Sequence, residues 1–303
     1  MANNFNQSAR QTWFPGHMLK AEKAMAEALD LVDLVVVLLD ARAPLSTRNP
    51  RLEQRLLSRR PHALVANKSD LASGVQNRRW KEWFESHGQP IDFLEASHLK
   101  KPEALTTRWK ELVLKLRQER GATRPLMRPV RLMIVGIPNI GKSTLVNHLR
   151  TRNIAKVGAR PGVTRQNQWV PLAGGVELLD TPGLLWPQLK DKNHELLLTA
   201  LGNIPDESTD PTLTAEFLIA RFQELGLADA LKALDLPEIS TEPAEVLEQL
   251  AVRRKMFLPG GRPALANAAQ GFLKDYRAGR LGRYTLEVPP AEEPAEDAEE
   301  AQA

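Results

Sequence analysis

The sequence predicts an α/β domain with a parallel sheet and helices on both faces, followed by a small all-helical domain. Short apolar runs alternate with amphipathic segments up to about residue 182, and only amphipathic segments continue from about residue 190. Apolar runs without internal alternation are typical of strands that are buried on both faces of a parallel sheet. Ligands of such sheets bind at the carboxyl ends of the strands. The residues that follow each run are therefore the first candidates for a functional site.

The elements are assigned in chain order. The expected strands are LVVVLLD (34–40), HALVAN (62–67), DFLEAS (92–97), RLMIVG (131–136) and VELLD (176–180). The expected helices of the first domain are NPRLEQRLLSRR (49–60), RRWKEWFESHG (78–88), ALTTRWKELVLKLRQER (104–120) and GKSTLVNHLRT (141–151). Those of the second domain are HELLLTALG (194–202), LTAEFLIARFQELG (213–226), PAEVLEQLAVRRK (243–255) and ALANAAQGFLKDYRAG (264–279). We expect an N-terminal segment at 1–30, the α/β domain at 31–188, the helical domain at 189–286 and a disordered acidic tail at 287–303.

The charge is unevenly distributed along the chain. The net charge is +4, but residues 287–303 contain seven acids and no Lys or Arg, so the rest carries +11. A basic body favours a polyanionic partner such as nucleic acid, although a solvated surface with a solubilising tail explains the same numbers. The absence of cysteine excludes disulfides, cysteine-bound zinc and a thiol nucleophile. With no leader pattern and no membrane-spanning apolar run, we expect a cytoplasmic protein.

Residues 136–143, GIPNIGKS, fit the pattern G-x4-G-K-[ST] between an expected strand and an expected helix. The glycines let backbone N–H groups face phosphates, and the helix N-terminus adds a positive dipole end. We expect Lys142 to reach the β- and γ-phosphates of a nucleotide and Ser143 to bind Mg²⁺. The expected nucleotide contacts of this loop are Pro138, Asn139, Ile140, Gly141, Lys142, Ser143 and Thr144.

The HALVAN strand leads into Asn67-Lys68-Ser69-Asp70, which fits the pattern N-K-x-D, and we expect Asn67, Lys68 and Asp70 to contact the nucleotide. A carboxylate in this position can accept two hydrogen bonds from the N1–H and 2-amino groups of guanine. Adenine does not offer that donor pattern, so the motif selects GTP over ATP. The next expected strand ends in EAS, where the backbone N–H of Ala96 or of Ser97 would contact the guanine oxygen, and the sequence leaves both open.

Two further motifs concern the γ-phosphate. Asp180 opens D-x-x-G at the end of VELLD, where we expect it to hold Mg²⁺ through water while the Gly183 N–H contacts the γ-phosphate. Between the two phosphate motifs lies ARPGVTRQNQ, in which Thr164 is the hydroxyl expected to close over Mg²⁺. An ordinary loop threonine is the alternative.

The base-reading motif precedes the phosphate loop, whereas familiar small GTPases have the opposite order, so the sheet is expected to be circularly permuted. The chain resembles the circularly permuted GTPases of ribosome assembly, in particular the YlqF/RbgA group. The resemblance covers nearly the whole chain and runs through WFPGHMLKA, DLVVVLLDARAPLSTRNP, NKSD, GIPNIGKST, ARPGVTR, DTPGLLWP and YRAGRLGR. It implies a slow GTPase that is stimulated by the ribosomal subunit, acts late in large-subunit maturation and is monomeric off the ribosome.

The residue after D-x-x-G is Leu184, where many GTPases use a glutamine to orient the attacking water. The resemblance implies that His17, in the FPGHM segment, orients the water instead. Lys142 and Gly183, the expected γ-phosphate contacts, complete the expected catalytic set. The alternative is that the aromatic residues of this segment pack on the domain and leave His17 on the surface. The resemblance also makes a K⁺ ion at Asn139 plausible, although a plain loop asparagine fits equally well.

Residues 251–283 contain eight basic residues and one acid, with Phe257, Phe272 and Tyr276 interspersed. This pattern favours an RNA-binding surface, and the resemblance directs the prediction to ribosomal RNA. A solvated helix face with the aromatics in a core is the alternative. The candidate RNA-binding residues are Arg253, Arg254, Lys255, Lys274, Arg277, Arg280 and Arg283. A GTP-dependent regulatory switch that binds a protein partner is the competing function.

Overall fold

The computed structural model of the protein describes residues 26–49, 54, 60–150, 168–180 and 189–291. His17, Thr164, Gly183 and most of the helix expected at 49–60 lie outside these residues. Among the helices that the structure describes, each falls short of the length and apolar character needed to cross a membrane.

A six-stranded sheet forms the first domain. Its strands are β1 Leu34–Asp40, β2 His62–Asn67, β3 Ile91–Phe93, β4 Val130–Val135, β5 Gln168–Leu172 and β6 Val176–Asp180. Their order across the sheet is β3-β2-β1-β4-β6-β5, and every neighbouring pair is parallel except β5 with β6. The predicted α/β class with a mostly parallel sheet is confirmed.

Strand β1 lies at the centre of the sheet and all seven of its residues are buried, so both of its faces are covered. It pairs with β2 on one side, where Asp40 lies opposite Asn67, and with β4 on the other. The loops that leave β2 and β4 therefore emerge at the same carboxyl edge, on either side of the loop that leaves β1. The fold thus brings the N-K-x-D motif and the phosphate loop together.

Two strands differ from the prediction. The expected 92–97 strand is shorter, and Ala96–His98 form a 3₁₀ helix, because the chain turns away after Leu94 donates its N–H to Ala66. Strand β5 was not predicted, since Pro171 interrupts its pattern. Proline is tolerated there because β5 is an edge strand.

The helices of the sheet domain are α1 Gly74–Ser86, α2 Pro102–Glu119 and α3 Lys142–Leu149. The second domain contains α4 Lys192–Ala200, α5 Pro211–Glu224, α6 Ala228–Lys232, α7 Pro243–Arg253 and α8 Leu265–Arg277. Helix α5 packs against α4, α7 and α8, and Phe222 and Phe272 meet edge to face inside this bundle. The four predicted helices of this domain are confirmed, and the short α6 is an addition.

Candidate guanine-nucleotide site

The loop between β4 and α3 needs glycine at both ends. A Cβ on Gly136 would lie 2.7 Å from the carbonyl oxygen of Leu38 on the neighbouring strand β1. A Cβ on Gly141, whose φ is +101°, would lie 2.2 Å from Asn67 Nδ2. The two glycines therefore allow the loop to pack against β1 and against the end of β2, while Asn139 adopts a left-handed φ of 51° between them.

Lys142 is the first residue of α3. Its ammonium donates hydrogen bonds of 2.8 Å to the carbonyl oxygens of Gly136 and Ile137, so the cation is held inside the loop. Burial lowers the pKa of Lys142 to about 8. Ser143 and Thr144 follow it in the first helical turn and are exposed. A cation and two hydroxyls at a helix N-terminus form a site suited to phosphate.

Asn67, the first residue of N-K-x-D, joins the phosphate loop to the loop after β3. Its Nδ2 donates to the carbonyl of Ile140 at 2.8 Å, and its Oδ1 accepts from the Ala96 N–H at 2.9 Å. Asn67 is buried, so both bonds are shielded from water. The Ala96 N–H is therefore engaged within the protein, and the choice between Ala96 and Ser97 for contact with a guanine oxygen stays a prediction.

Asp70, the last residue of N-K-x-D, is half-buried in the turn after β2. Its carboxylate makes no hydrogen bond or ion pair within the described part of the chain, which leaves its oxygens available for a base. Lys68 has a left-handed φ of 61°, and its ammonium lies 3.0 Å from Asp40 Oδ2. The acid and the lysine of the motif therefore have different roles: one is available to a ligand and the other is fixed within the protein.

Asp40 and Arg42 form a buried ion pair that the sequence analysis did not single out. Arg42 donates to the two oxygens of Asp40 at 2.9 and 2.8 Å, and also to the carbonyl of Leu201 in the helical domain at 2.9 Å. Burial alone would raise the pKa of Asp40, but the charges of Arg42 and Lys68 outweigh it and hold that pKa well below its ordinary value. An Asp at the end of a buried strand, with an Arg two residues later, was the available signal.

The helical domain contacts the same edge of the sheet at further points. The Asn203 amide donates to the carbonyl of Pro138 in the phosphate loop at 3.4 Å. The His194 ring contacts the carbonyl of Ser46, in the loop after β1, at 2.8 Å. Both side chains are buried, so the two domains share an interface beside the phosphate loop.

Residues 284–287, which we call the C-terminal strap, run back over the sheet domain. Tyr284 donates its N–H to the carbonyl of Leu71, and Thr285 Oγ1 accepts from the Ser73 N–H, both at 3.1 Å. Leu286 donates its N–H to the Arg42 carbonyl at 2.7 Å. The strap therefore holds the segment that directly follows N-K-x-D.

Glu287, expected to be the first residue of the disordered tail, is bonded to the sheet domain. Its carboxylate accepts hydrogen bonds from the N–H groups of Leu45 and Ser46 at 2.9 and 3.0 Å. Its carbonyl accepts from Trp80 Nε1 at 3.4 Å. The loop after β1 presents backbone donors without strand partners, and Glu287 satisfies two of them. The ordered domain therefore continues through Glu287.

The candidate RNA-binding residues divide into paired and unpaired cations. Ion pairs to acids of the same domain engage Arg253 with Asp235, Arg254 and Arg280 with Asp275, and Arg277 with Asp206. Within the described residues, Lys255, Lys274 and Arg283 are exposed and have no such partner. Phe272 and Tyr276 are buried, so the expectation that they lie on an RNA-binding surface is wrong. Phe257 is exposed.

The remaining predicted residues concern the γ-phosphate. The structure describes Asp180 only as the last backbone position of β6, beside β4 in the sheet. His17, Thr164 and Gly183 lie outside the described residues, so their roles stay predictions.

A phosphate loop and an N-K-x-D turn at one edge of a parallel sheet, with the base-reading strands first in the chain, define a circularly permuted P-loop GTPase. Residues 131–221 match the family model described as 50S ribosome-binding GTPase. Ribosome biogenesis GTPase A of Bacillus licheniformis is 37% identical, with coverage of 91% of this chain and 98% of that protein. Mitochondrial ribosome-associated GTPase 1 of mouse is 34% identical, with coverage of 91% and 89%.

Solved structures agree with these relatives. The crystal structure of GNP-bound YlqF from Thermotoga maritima matches with a TM-score of 0.60 and 27% identity, covering 89% of this chain and 98% of that one. The chain belongs to the ribosome biogenesis GTPase A family, and it hydrolyses GTP.

Proposed function

We propose that this GTPase assists late maturation of the large ribosomal subunit, binds its rRNA through the helical domain, and leaves after GTP hydrolysis. The observation that carries the proposal is that the helical domain, with its unpaired cations, is docked on the edge of the sheet where the nucleotide site lies. A change at the nucleotide can therefore alter a surface that binds a polyanion. The ribosomal assignment is supported by the names of the relatives, ribosome biogenesis GTPase A and mitochondrial ribosome-associated GTPase 1.

In this proposal, Lys142 neutralises charge on the β- and γ-phosphates while Asp70 accepts from the guanine edge. The Ser97 N–H contacts the guanine oxygen. Asn67 fixes the position of the phosphate loop relative to the loop after β3. Selectivity arises because adenine would leave the Asp70 carboxylate without its donors.

Mg²⁺ is the expected cofactor. The hydroxyls of Ser143 and Thr164 would hold it directly and Asp180 through water, and hard oxygen ligands of this kind suit that ion. When bound, Mg²⁺ would neutralise charge that develops on the phosphate oxygens. A K⁺ ion at Asn139 remains a prediction, as does the orientation of the attacking water by His17 over the Gly183 N–H.

The RNA-binding surface is proposed to consist mainly of Lys255, Lys274 and Arg283. Cations that already have a carboxylate partner must give up that partner to bind phosphate, so they contribute less to affinity. The exposed Phe257 adds an aromatic face on which a base could stack. Cytoplasmic location and a monomeric state off the ribosome belong to the same proposal.

Salt dependence of large-subunit binding tests this proposal against the protein-partner alternative. With a GTP analogue bound, we expect affinity to fall steeply between 50 and 200 mM salt, by roughly 10-fold or more for a few phosphate contacts. The double variant Lys255→Ala/Lys274→Ala should weaken binding and flatten the slope. Its control is Lys232→Ala in α6, because Lys232 is already paired with Asp229. Affinity that is insensitive both to salt and to the double variant would favour a protein-binding switch.

A further inference from the structure

Lys68 is anchored to the centre of the sheet. It is the residue of N-K-x-D with a left-handed backbone, and its ammonium is paired with buried Asp40 at 3.0 Å. A left-handed conformation at a lysine costs free energy and persists only where surrounding contacts impose it. Asp70 lies two residues further along the same turn. The direction in which the turn presents Asp70 therefore depends on what holds Asp40 and Lys68.

Arg42 holds Asp40 and extends the contact to the helical domain. Its guanidinium makes two bonds to Asp40 and a third to the carbonyl of Leu201. The guanidinium carbon also lies 5.4 Å from the ring centroid of Tyr276 in α8. Arg42 and Asp40 are 1% and 0% exposed, so no water can replace a lost partner.

One loop of the helical domain contacts both halves of the nucleotide site. The carbonyl of Leu201 accepts from Arg42 on the base-reading side, and two residues later the Asn203 amide donates to Pro138 in the phosphate loop. The strap adds a contact on the base-reading side, because Tyr284 bonds to Leu71, the residue after Asp70. The base-reading turn is therefore supported by the helical domain as well as by the sheet.

We propose that Arg42 is a positioning residue through which docking of the helical domain determines how the N-K-x-D turn presents Asp70, and therefore how well the protein selects guanine. The inference rests on the proposed guanine site. Linkage makes the coupling reciprocal: a partner that shifts the helical domain changes guanine-nucleotide affinity, and the nucleotide changes affinity for that partner by the same factor.

The ratio of the dissociation constants for IDP and GDP tests the inference. IDP lacks the 2-amino group, so it offers Asp70 one donor fewer while its phosphates are unchanged. We expect the full-length wild-type protein to prefer GDP by about 10-fold or more. In Arg42→Gln we expect the preference to fall by at least about threefold, because a misplaced carboxylate gains less from the second donor. A fall in folded fraction alone would weaken both ligands equally and leave the ratio unchanged.

The matched control is Arg128→Gln, which removes an arginine paired with Asp33 at the opposite edge of the sheet and should leave the ratio unchanged. If Arg42→Gln does not fold, Tyr276→Leu provides the test, because it removes the ring beneath the guanidinium and leaves every sheet-domain residue in place. If the variant that folds has the same ratio of IDP to GDP dissociation constants as the wild type, the inference is overturned. The proposed guanine site would not be affected by that result. A ratio near one in the wild type would instead overturn base recognition by Asp70.

Discussion

An aspartate–arginine pair lies at each end of strand β1. At the amino end, just before the strand, Asp33 pairs with Arg128 at 2.7 Å, and the Arg128 side chain is 38% exposed. At the carboxyl end, Asp40 pairs with Arg42 at 2.8 Å, and both side chains are almost fully buried. The residue types and distances are alike, but water can reach only the first pair.

This difference is the reason for placing the proposed coupling at the carboxyl end of β1 and not at its amino end. A broken exposed pair is replaced by water and counter-ions, so little free energy is at stake. A broken buried pair leaves charges without solvation, so their partners must move together. The buried pair also adjoins Lys68 and the helical domain, whereas the exposed pair only joins the segments before β1 and β4.

The largest effect is expected at the phosphate loop on the carboxyl edge. Lys142→Met should lower GTP affinity by about 100-fold or more and abolish measurable turnover, because the cation held inside the loop is lost. The control is Lys110→Met, since Lys110 lies on α2 beside Gly175 at the amino end of β6. Equal losses in the two variants, measured by nucleotide titration and phosphate release, would mean that this edge has no special role.

Asp40→Asn should lower the free energy of unfolding by about 3–5 kcal/mol, because it leaves the buried Arg42 and the half-buried Lys68 without a carboxylate. Urea denaturation of the nucleotide-free protein measures the change. A loss below about 1 kcal/mol would show that the buried network is solvated after all.

The pKa of Lys142, about 8, gives a smaller effect that depends on pH. Burial favours the neutral amine in the free protein, whereas bound phosphates favour the ammonium, so nucleotide binding above pH 8 should take up a proton. Affinity should therefore decrease by a few-fold between pH 7 and 8.5. Calorimetry in buffers of different ionisation enthalpy should detect an uptake of more than half a proton at pH 8.5. Zero uptake at that pH would contradict the shifted pKa.

The smallest effect is expected at the amino end of β1. Arg128→Gln should change the free energy of unfolding by less than about 1 kcal/mol, because solvent screens this pair. The same urea titration checks it. A loss as large as that of Asp40→Asn would remove the contrast between the two ends of the strand.

The sequence predicted the parts of the fold that depend on local pattern. The bounds of β1 and β2 agree with the structure because each contains an unbroken apolar run and ends in a polar residue. Strand β5 was missed because Pro171 breaks the pattern, although the Gly174-Gly175 turn after it is a hairpin signal. Helix α6 was missed because five residues carry too little periodicity.

In the candidate site, too, local sequence patterns were predicted and contacts between distant residues were not. Lys142, Asn67 and Asp70 were found because their motifs are contiguous in sequence. The contacts of Arg42 with Leu201 and of Glu287 with Leu45 join residues 159 and 242 positions apart, and sequence spacing does not show such pairs. The acidic composition after Glu287 also concealed its structural role, because composition does not distinguish a carboxylate that caps backbone donors from one in solvent.

GTP turnover by the full-length protein, with and without purified large ribosomal subunits, tests the central claim most directly. We predict a slow basal rate that rises by an order of magnitude or more with subunits. His17→Ala should abolish that stimulation while GTP binding persists. A rate that is unchanged at every subunit concentration would contradict the ribosomal role.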